Sequence, residues 1–267
     1  MLVVRRESDG IRRYVHLGTG NYNDQTAKLY TDLGLMTSNR QLGFDVSALF
    51  NMLSGFAEPT LFNKLITAPY SLRNQVLAFI HAAIDDQELG RSATIAMKLN
   101  SLSDQAIIDA LYKASAVGVT IRLLIRGICC LRPNVPGLSE NIEVQSIVGR
   151  YLEHTRMFLF TREVGTNVYL SSADLMVRNL DARVETMFPI DDDAAKTRIV
   201  QLFETMWSDN VKTRILQEDG SYKRVDKRGK KPLDAQVHLQ KEAEDQRSQQ
   251  RKEERPIYPL RPLNKNT

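Results

Sequence analysis

The sequence predicts an α/β protein of the mixed α+β kind, in which a mixed sheet is flanked by helices. One observation is a strand–helix–strand unit over residues 93–125. Such a unit normally crosses over right-handed and leaves its two strands parallel. A second observation is a series of short apolar strands between residues 142 and 189, and a third is an amphipathic helix over residues 194–207.

Residues 1–60 contain a predicted hairpin followed by a predicted helix. Strands at Leu2–Val4 and Tyr14–Leu17 flank the turn Glu7–Gly10, and Asp-Gly is a strong hairpin signal. We expect Asn21–Thr37 to be a loop with polar residues. We expect Asp45–Phe56 to be a helix that ends before a proline.

Residues 61–219 carry the predicted sheet and most of the helices. Asp104 is suited to begin a helix and Gly118 to end it. The predicted helices are Leu72–Asp86, Asp104–Ala116 and Ala194–Trp207. The predicted strands are Ala93–Leu99, Val119–Ile125, Ile142–Val148, Arg156–Phe160, Val168–Leu170 and Val184–Pro189.

Residues 220–267 form a charged tail that contains prolines. The tail has 13 Lys/Arg and 7 Asp/Glu, whereas the rest of the chain has 23 and 25. We expect such a segment to be disordered or a solvated helix, since it has too little apolar surface to form a core. The net charge of +4 therefore comes from the tail. The folded body is not a broad basic platform, and no nucleic-acid partner is expected.

The remaining composition favours a cytoplasmic protein. No apolar stretch has the length of a membrane span, and the amino terminus does not resemble a signal peptide. Cys129 and Cys130 are adjacent, which suits neither a disulfide nor a metal site. We therefore expect reduced cysteines that serve as small core residues.

Two parts of the chain share a short sequence pattern. Met1–Glu7 aligns with Met157–Glu163, and in both parts a strand, a turn and a second strand follow. Each second strand ends in a corner of small or hydroxyl-bearing residues, Gly18–Asn21 in the first copy and Ser171–Asp174 in the second. Such corners let backbone N–H groups approach an anion, with hydroxyls as further donors.

His154 and Arg156 lie at the start of the second copy. Residues two apart on a strand face the same side, so the imidazole and the guanidinium should lie together beside the Ser171–Asp174 corner. An imidazole can act as nucleophile or proton carrier, and a guanidinium can bind phosphate oxygens through two hydrogen bonds. A lone histidine on a strand is more often structural. Here the neighbouring groups favour His154 and Arg156 as catalytic residues in phosphoryl transfer.

The first copy has no such pair within the chain. If Met1 corresponds to Met157, the equivalent histidine would lie three positions before Met1. We therefore expect the chain to be a fragment that begins just downstream of its partner site.

Longer motifs are spread in order over residues 1–215. They are Tyr14–Asn23, Thr26–Asp32, Leu124–Cys130, Val135–Asn141, Ser146–His154 and Tyr169–Asp174. Together they resemble the phospholipase D superfamily and, more specifically, polyphosphate kinase of the first, large type. The resemblance implies a phospholipase D-like mixed sheet. It also implies that residues 1–60 are the end of the third, catalytic domain and that residues 61–219 are the carboxyl-terminal domain.

The resemblance also implies an activity and a set of site residues. Enzymes of this family transfer the terminal phosphate of ATP reversibly to polyphosphate through a phosphohistidine. By similarity, Tyr30, Arg126 and His154 contact ATP, while Asp32 and Arg183 belong to the active site. The phosphorylated histidine and the residues that hold magnesium would lie upstream. We therefore expect this chain to be inactive alone and to contain no metal site.

Further implications concern partners and alternatives. The family implies ATP, ADP and polyphosphate as partners, oligomers of the full-length enzyme and peripheral association with membranes. One alternative is a phosphodiesterase of the phospholipase D type, although those enzymes usually combine two His-x-Lys motifs and Arg156 replaces the lysine here. Another is a non-catalytic protein that holds polyphosphate through Arg126, Arg156 and Arg183.

Overall fold

The computed structural model describes residues 1–55 and 61–253, with side chains up to residue 249. The helices of these residues are α1 (Arg40–Leu53), α2 (Leu72–Glu88), α3 (Gln105–Ala116), α4 (Val177–Asp181), α5 (Asp193–Trp207) and α6 (Ala235–Glu253). The strands are β1 (Leu2–Glu7), β2 (Gly10–Gly18), β3 (Tyr30–Thr31), β4 (Gly34–Thr37), β5 (Ile66–Ala68), β6 (Thr94–Leu99), β7 (Thr120–Ile125), β8 (Ile142–Ile147), β9 (Leu152–Glu153), β10 (Arg156–Arg162), β11 (Gly165–Ser171), β12 (Glu185–Pro189), β13 (Thr213–Leu216) and β14 (Tyr222–Arg224).

The first part of the chain is a three-stranded antiparallel sheet covered by α1. The predicted hairpin is confirmed as β1–β2, and β4 pairs with the other edge of β2. The prediction of a loop over Asn21–Thr37 was wrong, because β3 and β4 lie within it: β4 pairs with the preceding β2, and β3 pairs with the distant β9. α1 begins earlier than predicted because the Asn39 side chain accepts a hydrogen bond from the Leu42 backbone and starts the helix there. The predicted helix end at Phe56 lies outside the described residues.

A nine-stranded mixed sheet forms the centre of the second part. Its strand order is β14-β13-β8-β7-β6-β10-β11-β12-β5, with β6, β7 and β8 parallel and the other pairs antiparallel. The predicted strand–helix–strand unit is confirmed as β6–α3–β7, and the Asp104 side chain caps α3. The predicted fold class, a mixed sheet flanked by helices, is therefore confirmed.

The nine-stranded sheet is buried on both faces. Along β10, Phe158 and Phe160 join a core with α2 and α3, while Met157 and Leu159 join a second core with α1 and α5. This alternation follows from the two-residue period of a strand. Since α1 belongs to the second core, the first part of the chain packs directly against the sheet.

The segment after Gly220 also contributes to the structure. β14 pairs with β13, and α6 begins with two buried residues, Ala235 and Gln236, before it becomes mostly exposed. The tail prolines at 256, 259 and 262 lie outside the described residues. No helix in the described part of the chain is long and apolar enough to cross a membrane.

Candidate active site

A short parallel pairing joins the two parts of the chain at His154. β3 pairs with β9, so that Tyr30 lies opposite Leu152 and Thr31 opposite Glu153. The backbone N–H of His154 donates to the Thr31 carbonyl over 3.0 Å. The rings of Tyr30 and His154 stack, with centroids 4.4 Å apart and planes inclined by 19°. The structure thus brings together two residues that lie 124 positions apart.

Arg156 lies beside His154, as the two-residue spacing predicts, but its donors are used within the protein. Its Nε and Nη2 donate to Asp174 over 3.3 and 2.8 Å, and its Nη1 donates to the carbonyls of Thr19 and His154 over 3.1 and 3.0 Å. Nη1 also lies 3.0 and 3.2 Å from the two ring nitrogens of His154. Because these two distances are nearly equal, Nη1 lies over the ring and not along one nitrogen's lone pair. The structure therefore presents Arg156 as a buried group that holds other residues together.

His154 is neutral at physiological pH. Burial lowers its pKa to about 4, and the positive charge of Arg156 adds to the effect. Only 9% of His154 is exposed. With one neighbour stacked on its ring and a guanidinium nitrogen over it, the imidazole can act as a neutral hydrogen-bonding group.

Lys98 and Glu153 form a buried ion pair that sequence reasoning missed. Lys98 Nζ lies 3.3 Å from Glu153 Oε2 and donates to the Thr155 carbonyl over 3.2 Å. Burial lowers the pKa of Lys98, although Glu153 opposes this shift. Glu153 also accepts a hydrogen bond from the Thr31 hydroxyl over 3.2 Å. The one available signal was a lysine within the otherwise apolar strand β6.

Arg126 is a basic side chain of the site whose two Nη groups remain available as donors. It follows β7, and its Nε donates to Asn100 Oδ1 over 2.8 Å and to the Glu153 carbonyl over 2.9 Å. Neither Nη atom of Arg126 has a partner among the residues with described side chains. Ligands of such sheets collect at the carboxyl ends of parallel strands, where Arg126 lies. The site thus offers the free fork of a guanidinium next to His154.

Asn100 is a second residue that sequence reasoning missed. It lies at the end of β6, is 6% exposed, and its Oδ1 is held by Arg126. Its Nδ2 is buried and lacks a hydrogen-bond partner within residues 1–55 and 61–249. A buried donor without an acceptor costs about 1–3 kcal/mol. An oxygen of a bound anion would remove that cost.

The two polar corners meet at Arg156, but their hydroxyls serve the protein. The Thr19 carbonyl receives Nη1 of Arg156, while the Thr19 hydroxyl bonds to the backbone of Leu33. Ser171 donates to the Thr186 carbonyl, and Ser172 donates to Glu185. The expected hydroxyl donors for an anion are therefore engaged.

Asp32 and Arg183 lie at the surface. The Asp32 carboxylate packs so closely on Gly20 that a side chain at position 20 would overlap it and displace the carboxylate. Arg183 follows α4, is exposed, and makes no hydrogen bond or ion pair with His154 or Arg156 in the described part of the chain. Arg178 on α4 is exposed as well. The structure thus brings Tyr30, Arg126, His154 and Arg156 together and leaves Arg183 apart.

The described residues contain no cluster of three or more His, Cys, Asp or Glu side chains that could hold a metal ion. The two carboxylates of the site are already occupied, Glu153 by Lys98 and Asp174 by Arg156. Within the described residues, the donor set therefore does not fit a magnesium ion held by protein ligands alone.

The fold and the site define a mixed α/β protein with a preformed basic site at the carboxyl ends of its parallel strands. The chain matches the family models "Polyphosphate kinase C-terminal domain 1" over residues 1–59 and "Polyphosphate kinase C-terminal domain 2" over residues 65–236. The chain belongs to the polyphosphate kinase family, and the predicted resemblance is confirmed.

Individual relatives agree with this membership. The polyphosphate kinase of Lactiplantibacillus plantarum is 53% identical over 247 residues, which are 91% of this chain and 34% of that protein. That of Staphylococcus haemolyticus is 48% identical over 242 residues, 91% of this chain and 33% of that protein. The crystal structure of polyphosphate kinase from Porphyromonas gingivalis superposes with a TM-score of 0.86 at 34% identity, covering 93% of this chain and 38% of that one. The chain thus spans about a third of the length of these relatives.

Proposed function

We propose that this chain forms the part of a polyphosphate kinase active site that binds ATP and polyphosphate. The observation that carries the proposal is the free guanidinium fork of Arg126 beside the Tyr30–His154 stack. A guanidinium with two open Nη groups suits the paired oxygens of a phosphate. Three basic side chains, Lys98, Arg126 and Arg156, face two carboxylates at this site, which favours an anionic ligand.

The residues of the site have different roles in ligand binding. Arg126 binds phosphate oxygens, and neutral His154 exchanges a hydrogen bond with the nucleotide without adding charge. Arg156 and Asp174 hold His154 and the two corners in place. Asp32 and Arg183 are assigned to the active site by family resemblance alone, since both are exposed and neither is joined to His154 by a hydrogen bond or ion pair in the described part of the chain. Phosphoryl transfer depends mainly on such positioning and charge neutralisation.

The covalent step requires a different histidine. In that step a histidine nitrogen attacks the terminal phosphorus of ATP, an N–P bond forms, and ADP leaves as the P–O bond to its β-phosphate breaks. His154 is a poor nucleophile because burial and the positive charge of Arg156 lower its pKa to about 4, whereas the neutral ring can still exchange a hydrogen bond with the nucleotide. We therefore place the phosphorylated histidine outside this chain, where magnesium would be held with the substrate phosphates, and we expect the chain alone to make no polyphosphate.

The test uses the purified 267-residue chain. By calorimetry it should bind ATP and tripolyphosphate, and Arg126→Gln should weaken both, while Arg132→Gln, at a surface arginine away from His154, should not. The chain should form no polyphosphate from ATP. Absence of ATP binding would refute the proposal, and robust synthesis would refute the assignment of the nucleophile. Release of nucleotides from DNA that is lost in His154→Ala would favour the phosphodiesterase alternative instead.

A further inference from the structure

Gln236, in the first turn of α6, binds the strand that leads into His154. Its Oε1 accepts from the Tyr151 backbone N–H over 3.0 Å, and its Nε2 donates to the Tyr151 carbonyl over 2.9 Å. Nε2 also donates to Glu153 Oε1 over 2.8 Å. Gln236 is 7% exposed, so these bonds are shielded from water. The side-chain amide thus pairs with the backbone of Tyr151 as a neighbouring strand would.

Local packing is arranged around this amide. A side chain at Gly149 would lie well inside van der Waals contact of Gln236 Oε1 and would displace the amide from its hydrogen bonds. The start of α6 is fixed as well, because Asp209 Oδ2 accepts from the Ala235 backbone over 2.7 Å. Asp209 is itself buried and accepts from three further backbone N–H groups. The first turn of α6, which carries Gln236, is therefore held in place by hydrogen bonds to a buried aspartate.

Glu153 connects Gln236 to the two short strands next to the aromatic rings of the site. Glu153 receives Gln236, Lys98 and the Thr31 hydroxyl at the same carboxylate. It belongs to β9, which has only two residues and pairs with the two residues of β3. So short a pairing has few hydrogen bonds of its own to fix its register. The contacts of Gln236 supply the missing restraint on the segment that carries His154.

We infer that Gln236 is a positioning residue for nucleotide binding, acting through β9 and Glu153 on the Tyr30–His154 stack. The inference rests on the proposed function for its effect on ATP, but its structural part stands alone. It assigns a role in the active site to the helix that sequence composition marks as a solvated tail. Losing the amide should loosen β9, change the environment of the His154 ring and weaken ATP binding.

The experiment compares Gln236→Glu and Gln236→Leu in the 267-residue chain with a control in the same helix. Glu242→Gln removes the charge that pairs with Arg198 on α5 but keeps an acceptor oxygen, and it leaves Gln236 in place. The readouts are the NMR resonance of the His154 ring without ligand, assigned by its loss in His154→Gln, and the Kd of ATP by calorimetry. Both Gln236 variants should shift the His154 resonance and raise the Kd roughly 2- to 30-fold. The control should do neither.

Other outcomes would overturn the inference. Lower thermal stability with an unchanged His154 resonance and an unchanged Kd would make Gln236 merely structural. If Gln236→Leu fails to fold, the nearly isosteric Gln236→Glu still provides both readouts, because it keeps the acceptor for Tyr151. If the unaltered chain binds no ATP, the proposed function fails. The His154 resonance would then still decide the positioning role.

Discussion

Replacing Asp174 with asparagine tests how strongly the Arg156–Asp174 pair holds the site together. The side chain of Arg156 is 7% exposed and that of Asp174 is 9% exposed, and Asp174 also accepts backbone N–H groups of Asn100 and Ser101 over 2.7 and 3.1 Å. Asparagine keeps the size and one acceptor oxygen, but the charge that balances Arg156 is lost. Removing one partner of a buried pair costs about 3–5 kcal/mol because the other charge is left uncompensated. We expect about 3 kcal/mol for Asp174→Asn and about 5 kcal/mol for Asp174→Ala.

The matched control is an exposed aspartate with similar geometry. Asp181 accepts two hydrogen bonds from the guanidinium of Arg73, but its side chain is 46% exposed. Exposed ion pairs contribute about 0–1 kcal/mol, so Asp181→Asn should cost no more than that. The free energy of unfolding is measured by urea titration at neutral pH. Equal losses in the two variants, or a loss below about 1 kcal/mol in Asp174→Asn, would refute the assigned importance of burial.

We also expect Asp174→Asn to change how the free energy of unfolding depends on pH in acid. Burial alone would raise the pKa of Asp174, but the hydrogen bonds and charge of Arg156 outweigh it and hold the pKa below the ordinary value of 3.8. A carboxylate with a lowered folded pKa stabilises the fold above its unfolded pKa, and this contribution is lost as the pH falls through the folded value. The stability of Asp174→Asn should therefore decline less steeply below pH 3.8 than that of the unaltered chain.

Three further predictions concern the neighbouring residues. His154 has a pKa lowered from 6.5 to about 4, so the free energy of unfolding of the unaltered chain should fall by up to about 3 kcal/mol as the pH is lowered from 6.5 to 4. In thermal unfolding, His154→Gln should remove this pH dependence. Asn100→Asp keeps the oxygen that accepts from Arg126 but removes the unpartnered amide donor, so the Kd of ATP should rise about tenfold or more by calorimetry; an unchanged Kd would exclude contact with the ligand. Arg126→Lys keeps the charge but loses the planar fork and should raise the Kd about tenfold with little change in unfolding midpoint; a shift in stability alone would argue against a binding role.

The features that sequence predicted well are local ones. The β6–α3–β7 unit lies within one residue of its predicted bounds, because apolar runs, the Asp104 cap and the Gly118 stop all act within a few residues. The β1–β2 hairpin was also predicted, although its strands extend three and four residues closer to the turn than expected, and the turn ends at Gly10 with a positive φ of 121°. The spacing of His154 and Arg156 also placed them together correctly, since strand geometry alone fixes which side they face.

The features that sequence did not predict depend on distant pairings. β3 and β9 have two residues each, so neither has a periodic pattern, and their register is set by contacts across 122 positions. The burial of Lys98 depends on Glu153 arriving from another strand. Gln236 lies in a segment whose composition indicates solvent exposure, and only its docking on Tyr151 shows otherwise. Composition averages over a segment and cannot identify the one turn that is buried.

The His-x-Arg spacing predicts where Arg156 lies but does not predict which groups its guanidinium binds. Strand geometry decides that Arg156 lies beside His154, but Asp174 decides what its guanidinium does, because the buried carboxylate takes two of its donor nitrogens and backbone carbonyls take the third. Arg126 has no carboxylate partner in the described part of the chain, and its Nη groups stay open. The proposed phosphate-binding group is therefore Arg126, at the end of β7, and not the arginine of the motif. The Arg126→Lys and Asp174→Asn variants should then differ in kind, the first losing ligand affinity and the second losing stability.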